Sequence, residues 1–461
     1  MDWVIRELLG AEFGDTRLSE RLIKVTTALG RNPTASVPEA CGSAAAAKAA
    51  YRFWDHPAVT CEAILKPHIE STVRRAAGER VVLAVQDGTG INLSRHHATQ
   101  GLGYLKTKQQ RGLLLHQVLA VSGEGVPLGL LYQRFWTRSA AEFGKRTQRN
   151  RKLTRQKESQ NWLDGLAAAQ TALTDHPCVV VVGDRESDLY DLFAVPRPQN
   201  IHLLVRVRDW QRRVNHPAGS LKKALAQQPV QAKVSVEIPR ADQKPGRQTV
   251  LSVRWACLEI LRPVNHPDRA SPTSLRVWFL LAEEEQPPAG EKPICWLLAS
   301  TLPILNLEEA QQTLRWYTFR WRIEQYHYVQ KSGCRIEDLQ LETAARLQRA
   351  ITNYSLVAWH LLRLTYLSRA APQVACVEVM PEVSWEVLYR ATHGHRPLPT
   401  CPPKLHEAVR WIARLGGFLG RKHDKEPGVT TLWRGWRRLE DITAGYYLAK
   451  QHRLASSETY G

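Results

Sequence analysis

The sequence contains no apolar run near the ~18 residues that a membrane span requires. Its longest candidates, such as Cys178–Gly183, are strand-sized. The opening Met1-Asp2-Trp3-Val4-Ile5-Arg6 has no basic region leading into an apolar stretch, so no signal peptide and a cytoplasmic location are expected. No C-x-x-C pair occurs among Cys41, Cys61, Cys178, Cys257, Cys295, Cys334, Cys376 and Cys401, which argues against a zinc site or a redox motif and for reduced core thiols. Acidic residues are in deficit: 44 Asp and Glu stand against 63 Lys and Arg, a formal charge of +19. An excess of that size favours a polyanionic partner, whether DNA or RNA.

With 461 residues there is room for roughly three domains. Residues 1 to about 75 read as helical, with Asp15–Leu29 and the alanine-rich Ser43–Trp54 as helices. Such a unit suits a DNA-binding head and equally a plain helical subdomain. From Arg80 the texture changes to strands: Arg80–Gln86, then Gly112–Val121 and Val126–Trp136 across a Ser122-Gly123-Glu124-Gly125 turn. The polar, basic stretch Thr137–Lys157 reads as a mobile loop. A helix over Ser159–Thr174, a strand over Pro177–Gly183, a helix beginning in Ser187–Phe193 and a strand over Ile201–Val207 follow. This order predicts a mixed sheet covered by helices. Four more strand patterns, from Val230 to Ser300, predict a β insertion at about 210–305. Beyond Leu307 the chain reads as helical, with long helices over Leu307–Gln330 and Thr343–Ser368 and a Pro-rich break at His395–Lys404.

Asp87 and Asp184 are each placed by the pattern just past the carboxyl end of an apolar strand, where open α/β sheets carry functional groups. For either taken alone, a cap or turn former is the better account. The third acid changes that balance. Tyr317, Arg320, Glu324 and Lys331 stand at i, i+3, i+7 and i+14. On an ideal helix at ~100° per residue they share one face within roughly 60°. Trp316, Trp321, Tyr326 and Tyr328 are interleaved with them, and cations beside aromatics suit phosphate gripping and base stacking. A structural Arg320–Glu324 pair is the ordinary alternative. Converging carboxylates are also what Mg²⁺ needs, since it prefers hard oxygen ligands and keeps several waters.

Tyr317-Thr318-Phe319-Arg320-Trp321-Arg322-Ile323-Glu324, with Lys331-Ser332-Gly333 after it, resembles the Y-x2-R-x3-E-x6-K signature of DDE transposases of bacterial insertion sequences. The likeness is to their hairpin-forming, cut-and-paste group of the kanamycin-transposon type. Asp184-Arg185-Glu186-Ser187-Asp188 and Ala84-Val85-Gln86-Asp87-Gly88-Thr89 resemble that family's two aspartate motifs, although Gly88 stands where relatives often have Thr. Gly14-Asp15-Thr16-Arg17 and Ala50-Tyr51-Arg52-Phe53 are similar to its N-terminal DNA-binding domain.

The resemblance implies an RNase H-like mixed-sheet core at 76–370 with an inserted antiparallel β domain. It further implies a DNA-end-binding helical domain at 1–75 and a C-terminal helical dimerisation domain at 371–461. It implies Asp87, Asp184 and Glu324 as the catalytic and metal ligands, holding two Mg²⁺ or Mn²⁺ ions. The implied reaction is a nick at the transposon end, a hairpin formed by the freed 3′-OH, its hydrolysis, and strand transfer into target DNA. The implied assembly is a homodimer on paired double-stranded ends, at the nucleoid. Trp296 stands where the family stacks a Trp on a flipped base, and Arg206 where it keeps a basic residue near the scissile phosphate. Tyr317, Arg320, Lys331 and Trp321 complete the expected DNA contacts. A silent DNA-binding regulator of the same ancestry and a metal-dependent nuclease are the alternatives.

Overall fold

The computed structural model describes residues 3–139, 153–238, 247–381 and 383–458. Most of the basic stretch expected to form a loop at Thr137–Lys157 lies outside the described residues. Among the described residues ten strands join in one sheet: β1 Val82–Asn92, β2 Gly103–Tyr104, β3 Arg111–Ser122, β4 Pro127–Trp136, β5 Val179–Gly183, β6 Ile201–Arg206, β7 Ala232–Ile238, β8 Arg247–Leu261, β9 Ser274–Glu284 and β10 Cys295–Ser300.

The first part of the sheet has RNase H-like topology. β3 lies between β4 and β1 and is antiparallel to both, whereas β1, β5 and β6 run parallel. The parallel centre is made by Val179-Val180-Val181-Val182, buried on both faces, as parallel strands between helical layers must be. The β insertion is not a separate body. β10 pairs antiparallel with β6, and β9, β8 and β7 follow outward, so the insertion widens the same sheet.

Strand alternation divides the apolar residues between two layers. Val82, Ala84, Val179, Val181, Leu203 and Val205 face helices Gln160–Ala172, Tyr190–Ala194 and Leu221–Ala226. Leu83, Val85, Val180, Val182, Leu204 and Leu298 face the other way, into a core shared with the N-terminal helices and with everything helical after Leu307. Among the described residues five helices precede β1, the two anticipated ones among them: Thr16–Arg31, capped by Asp15, and Ala44–Asp55, capped by Ser43. Cys61–Ala76 was hidden by its internal Pro67. Ala344–Ala370 runs through the middle of the shared core, where Asn353 accepts from Trp54 Nε1 (2.8 Å) and donates to Thr26 Oγ1 (2.9 Å).

The helix expected over Leu307–Gln330 is interrupted. Leu307–Thr318 ends at Phe319, Trp321–Tyr328 follows, and a π-helical turn spans Val329–Gly333. The interruption is seated on the β3–β4 turn: Gly125 has no side chain, and a Cβ there would meet the Phe319 ring at 2.8 Å. Arg322 Nε donates to the Gly125 carbonyl at 3.0 Å. Among the described residues no helix is long and apolar enough to cross a membrane.

Candidate active site

Register brings the two aspartates together. β1 and β5 pair from Val82 with Val179 to Val85 with Val182. Continued two residues, that register sets Asp87 beside Asp184, on strands about 4.8 Å apart. Asp87 follows Leu83 and Val85, and Asp184 follows Val180 and Val182, so both project from the face shared with the later helices. The expectation that Asp87 lies past its strand is corrected. β1 continues to Asn92 because the apolar β3 pairs with its polar half, Asp87 opposite Gln117. Asp184 does end its strand: its carboxylate caps the 3₁₀ turn Arg185–Ser187, accepting from Glu186 N at 2.7 Å.

The same face continues across the sheet. Arg206 follows Leu204 on β6 and stands opposite Leu298 of β10, two residues from Trp296. Trp296 meets Tyr317 edge to face, with centroids 6.0 Å apart and planes at 65°. Arg206 donates to the Cys295 carbonyl at 3.2 Å, and burial lowers its pKa.

Glu324 arrives from above on Trp321–Tyr328, whose Ile323 and Tyr326 are anchored in the core. Arg320 Nη1 lies 2.6 Å from Glu324 Oε1, one turn away, and its guanidinium carbon is 5.8 Å from the Tyr317 ring centre. Half-buried Asp87 feels all of this. Burial first, then the charge of Asp184, with a smaller push from Glu324, carries its carboxyl up to about 7, against the pull of the Gly88 amide and Arg320. Lys331 reaches back from the π turn and donates to Thr89 Oγ1 at 2.7 Å.

Thus Asp87, Asp184, Glu324, Arg320, Tyr317, Arg206, Trp296 and Lys331 gather around one end of the sheet. The arithmetic of a straight helix does not describe how, because the break at Phe319 and the π turn both change the phase. Trp321, which follows Arg320, is 38% exposed and makes no ring or cation contact among the described residues. Tyr326 is a core residue whose hydroxyl donates to the Ser355 carbonyl at 3.0 Å, not a surface for a base.

The donor set is all hard oxygen, and the repulsion that raises Asp87 is what a divalent cation between the acids would relieve. Yet no group of three or more His, Cys, Asp or Glu among the described residues is close enough to hold an ion as it stands, and Glu324 is occupied by Arg320. The residues fit metal ions in kind; for a site to close around an ion, Glu324 would have to leave Arg320 and move toward Asp87 and Asp184.

On the far side of β1's polar half lies a groove of about 1300 Å³ that the sequence did not reveal. It is bounded by Gly88, Thr89 and Lys331 at one end and by Arg208 and Arg213 farther along. Its cations come from distant segments, so no spacing in the chain marks them.

Comparison with known families bears on both ends of the chain. Residues 1–59 match the family model described as transposase DNA-binding, and residues 356–457 match the transposase Tn5 dimerisation domain. Both ends match domains of transposases. Together the matches support a transposase role, DNA binding through the N-terminal part and homodimer formation through the C-terminal part. The three acids lie between the matched segments.

Proposed function

We propose that this chain is a cut-and-paste DNA transposase, with Asp87, Asp184 and Glu324 as its catalytic acids. The observation that carries the proposal is the meeting of Asp87, Asp184 and Glu324 at one sheet end, beside Arg320 and Tyr317, between two transposase-matched ends. Asp87, Asp184 and Glu324 would hold two Mg²⁺ or Mn²⁺ ions, which supply charge stabilisation to the attacking and leaving oxygens of a phosphodiester. Arg320, Arg206 and Lys331 would grip the flanking phosphates, and Trp296 would stack on a base drawn out of the end duplex. The hairpin route and strand transfer follow from the likeness of the signature.

The proposed assembly is a dimer on paired ends, with helical units at 1–75 and 371–461 flanking a catalytic unit at 76–370, acting at the nucleoid. A DNA-binding regulator that no longer cuts is favoured by one observation, the Arg320–Glu324 pair that withholds the third acid. Glu324→Gln separates the readings. A transposase loses cleavage of DNA carrying the inverted repeats that bracket its gene, yet still binds it. Cleavage that survives the substitution refutes the site assignment, and a wild-type protein that binds without cutting is the regulator. Breaks without joined products would identify a nuclease.

A further inference from the structure

We infer that a recess between the N-terminal helices and the central helix binds a small free anion of the phosphate or pyrophosphate kind. The site is separate from the three acids and does not depend on the transposase reading. The recess, of about 320 Å³, lies where helices Trp3–Leu8, Cys61–Ala76 and Ala344–Ala370 meet the segment at Glu378 and Val379. That volume is at the small end of ligand pockets, which begin at roughly 300 Å³. Four arginines line it, Arg6, Arg74, Arg75 and Arg363, against two acids, Glu7 and Glu378.

Glu7 is fully engaged by Arg75 and His68. Arg75 donates to both its oxygens, at 2.7 and 2.8 Å, and His68 Nδ1 lies 2.5 Å from its Oε1. The Leu130 amide donates to His68 Nε2 at 2.8 Å, so the ring proton sits on Nδ1 and the imidazole is neutral. Glu378 is exposed, and its backbone carbonyl, with that of Val379, accepts from Arg6 at 3.0 and 3.4 Å. Arg74 donates to the Ser71 hydroxyl at 2.6 Å. Arg6 and Arg74 are thus met by neutral oxygens. Arg363 makes no side-chain hydrogen bond or ion pair among the described residues, and its Nε is buried without a partner. Burial, then the charge of Arg75, bring it down from 12.5 to about 10, against the pull of Glu7. A half-buried guanidinium among like charges is costly, and an anion relieves the cost. Guanidinium forks match the oxygens of a phosphate.

The rings beside the recess are already engaged: Trp3 stacks on His360 at 4.1 Å, and Arg75 lies over Trp359 at 4.4 Å. The recess therefore suits a bare phosphate rather than a nucleoside. Trp3, Glu7, Ser71 and Trp359 are buried while Arg6 and Arg74 are exposed, so the ligand has to enter between helices, as a free anion can and a duplex backbone cannot. Arg6 belongs to the segment matched to the DNA-binding model and Arg363 to the segment matched to the dimerisation domain. An anion held by both would fasten one to the other.

The test is titration of the full-length, metal-free protein with sodium pyrophosphate at fixed ionic strength. Calorimetry is expected to show one pyrophosphate taken up per chain. The melting temperature should rise by about 3 °C at roughly a hundredfold excess over Kd. Arg363→Met should weaken the binding about tenfold or more, with the circular dichroism of the wild type retained. Arg6→Gln, at the exposed rim, should weaken it several-fold, and decides the matter if Arg363→Met does not fold. Arg320→Gln should bind as the wild type does, because the anion is not at the acids. No saturable uptake, or equal affinity in the wild type and the folded Arg6 and Arg363 variants, overturns the inference; so does uptake lost in Arg320→Gln. In a second arm a duplex of about 30 bp is added to the loaded protein. Retention of the bound pyrophosphate supports a site for a free anion. Its release by the duplex overturns that assignment and gives the recess to a DNA phosphate. None of these outcomes depends on whether the protein cuts DNA.

Discussion

Arg320 Nη1 lies 2.6 Å from Glu324 Oε1, in a site where the side chains are 14% and 31% exposed. At that burial the pair is worth more than a surface bridge, and a cation approaching Glu324 has to compete with it. Arg320→Gln is therefore expected to tighten Mn²⁺ binding to the DNA-free protein several-fold. Electron paramagnetic titration of free Mn²⁺ measures this. Affinity equal to wild type would mean that the ion pair does not oppose the metal. On DNA, the same variant should bind ends more weakly, because a phosphate contact is gone.

Asp87 makes stability depend on pH. Its carboxyl has an ordinary value of 3.8 and stands at about 7 in the fold. A raised carboxyl binds its proton more tightly when folded, so its contribution is complete below about 3.8 and is lost as pH rises through 7. Asp87→Asn should thus leave stability nearly unchanged at pH 4 and raise it by about 2 kcal/mol at pH 8. Denaturant melts at the two values check the sign. An equal effect at both would show that the acid is not under strain.

Trp296 and Tyr317 prop each other edge to face on the side proposed for the DNA end. Trp296→Ala should slow cleavage of end DNA about tenfold, with Trp296→Phe recovering most of it, since stacking on a base needs only a flat ring. A 2-aminopurine placed near the cleavage position should be quenched by the wild type and not by the alanine variant. Quenching equal in both would remove the base-stacking role.

Asn353 ties the N-terminal helices to the central helix through Trp54 and Thr26. Asn353→Leu leaves the buried Trp54 N–H and the Thr26 hydroxyl without a partner, at a cost of about 2–4 kcal/mol. The shared core should make the loss global. Circular dichroism and tryptophan fluorescence are expected to report one coincident transition at lower denaturant; separate transitions would mean that the N-terminal helices fold alone.

The strands were legible because their apolar residues leave little alternative. Val179–Gly183 is a four-valine run before a glycine, and the Ser122–Gly125 turn marks the β3–β4 hairpin. The polar half of β1 was not legible: Asp87-Gly88-Thr89-Gly90 has the composition of a loop and is extended only because β3 supplies hydrogen bonds along its length. Pro67 concealed a helix in the same way, since tertiary packing overrode local propensity. At the site, spacing identified Tyr317, Arg320 and Glu324, but the break at Phe319 depends on a bare glycine nearly two hundred positions earlier. The meeting of Asp87 with Asp184 is a matter of strand register, and the groove cations converge from five separate segments. Neither has a periodicity to read.

The widening of the sheet by β7 to β10 has a consequence for synthesis. The two aspartates are in place once β5 has paired with β1, but about a hundred residues of added strands must emerge before the helix bearing Glu324 leaves the ribosome. A chain terminated anywhere in that interval has two of the acids and lacks the third. β10 closes onto β6 just ahead of helix Leu307–Thr318, which leads into the helix bearing Glu324. If the three acids act together as proposed, an unfinished chain would lack a complete site until that helix is made.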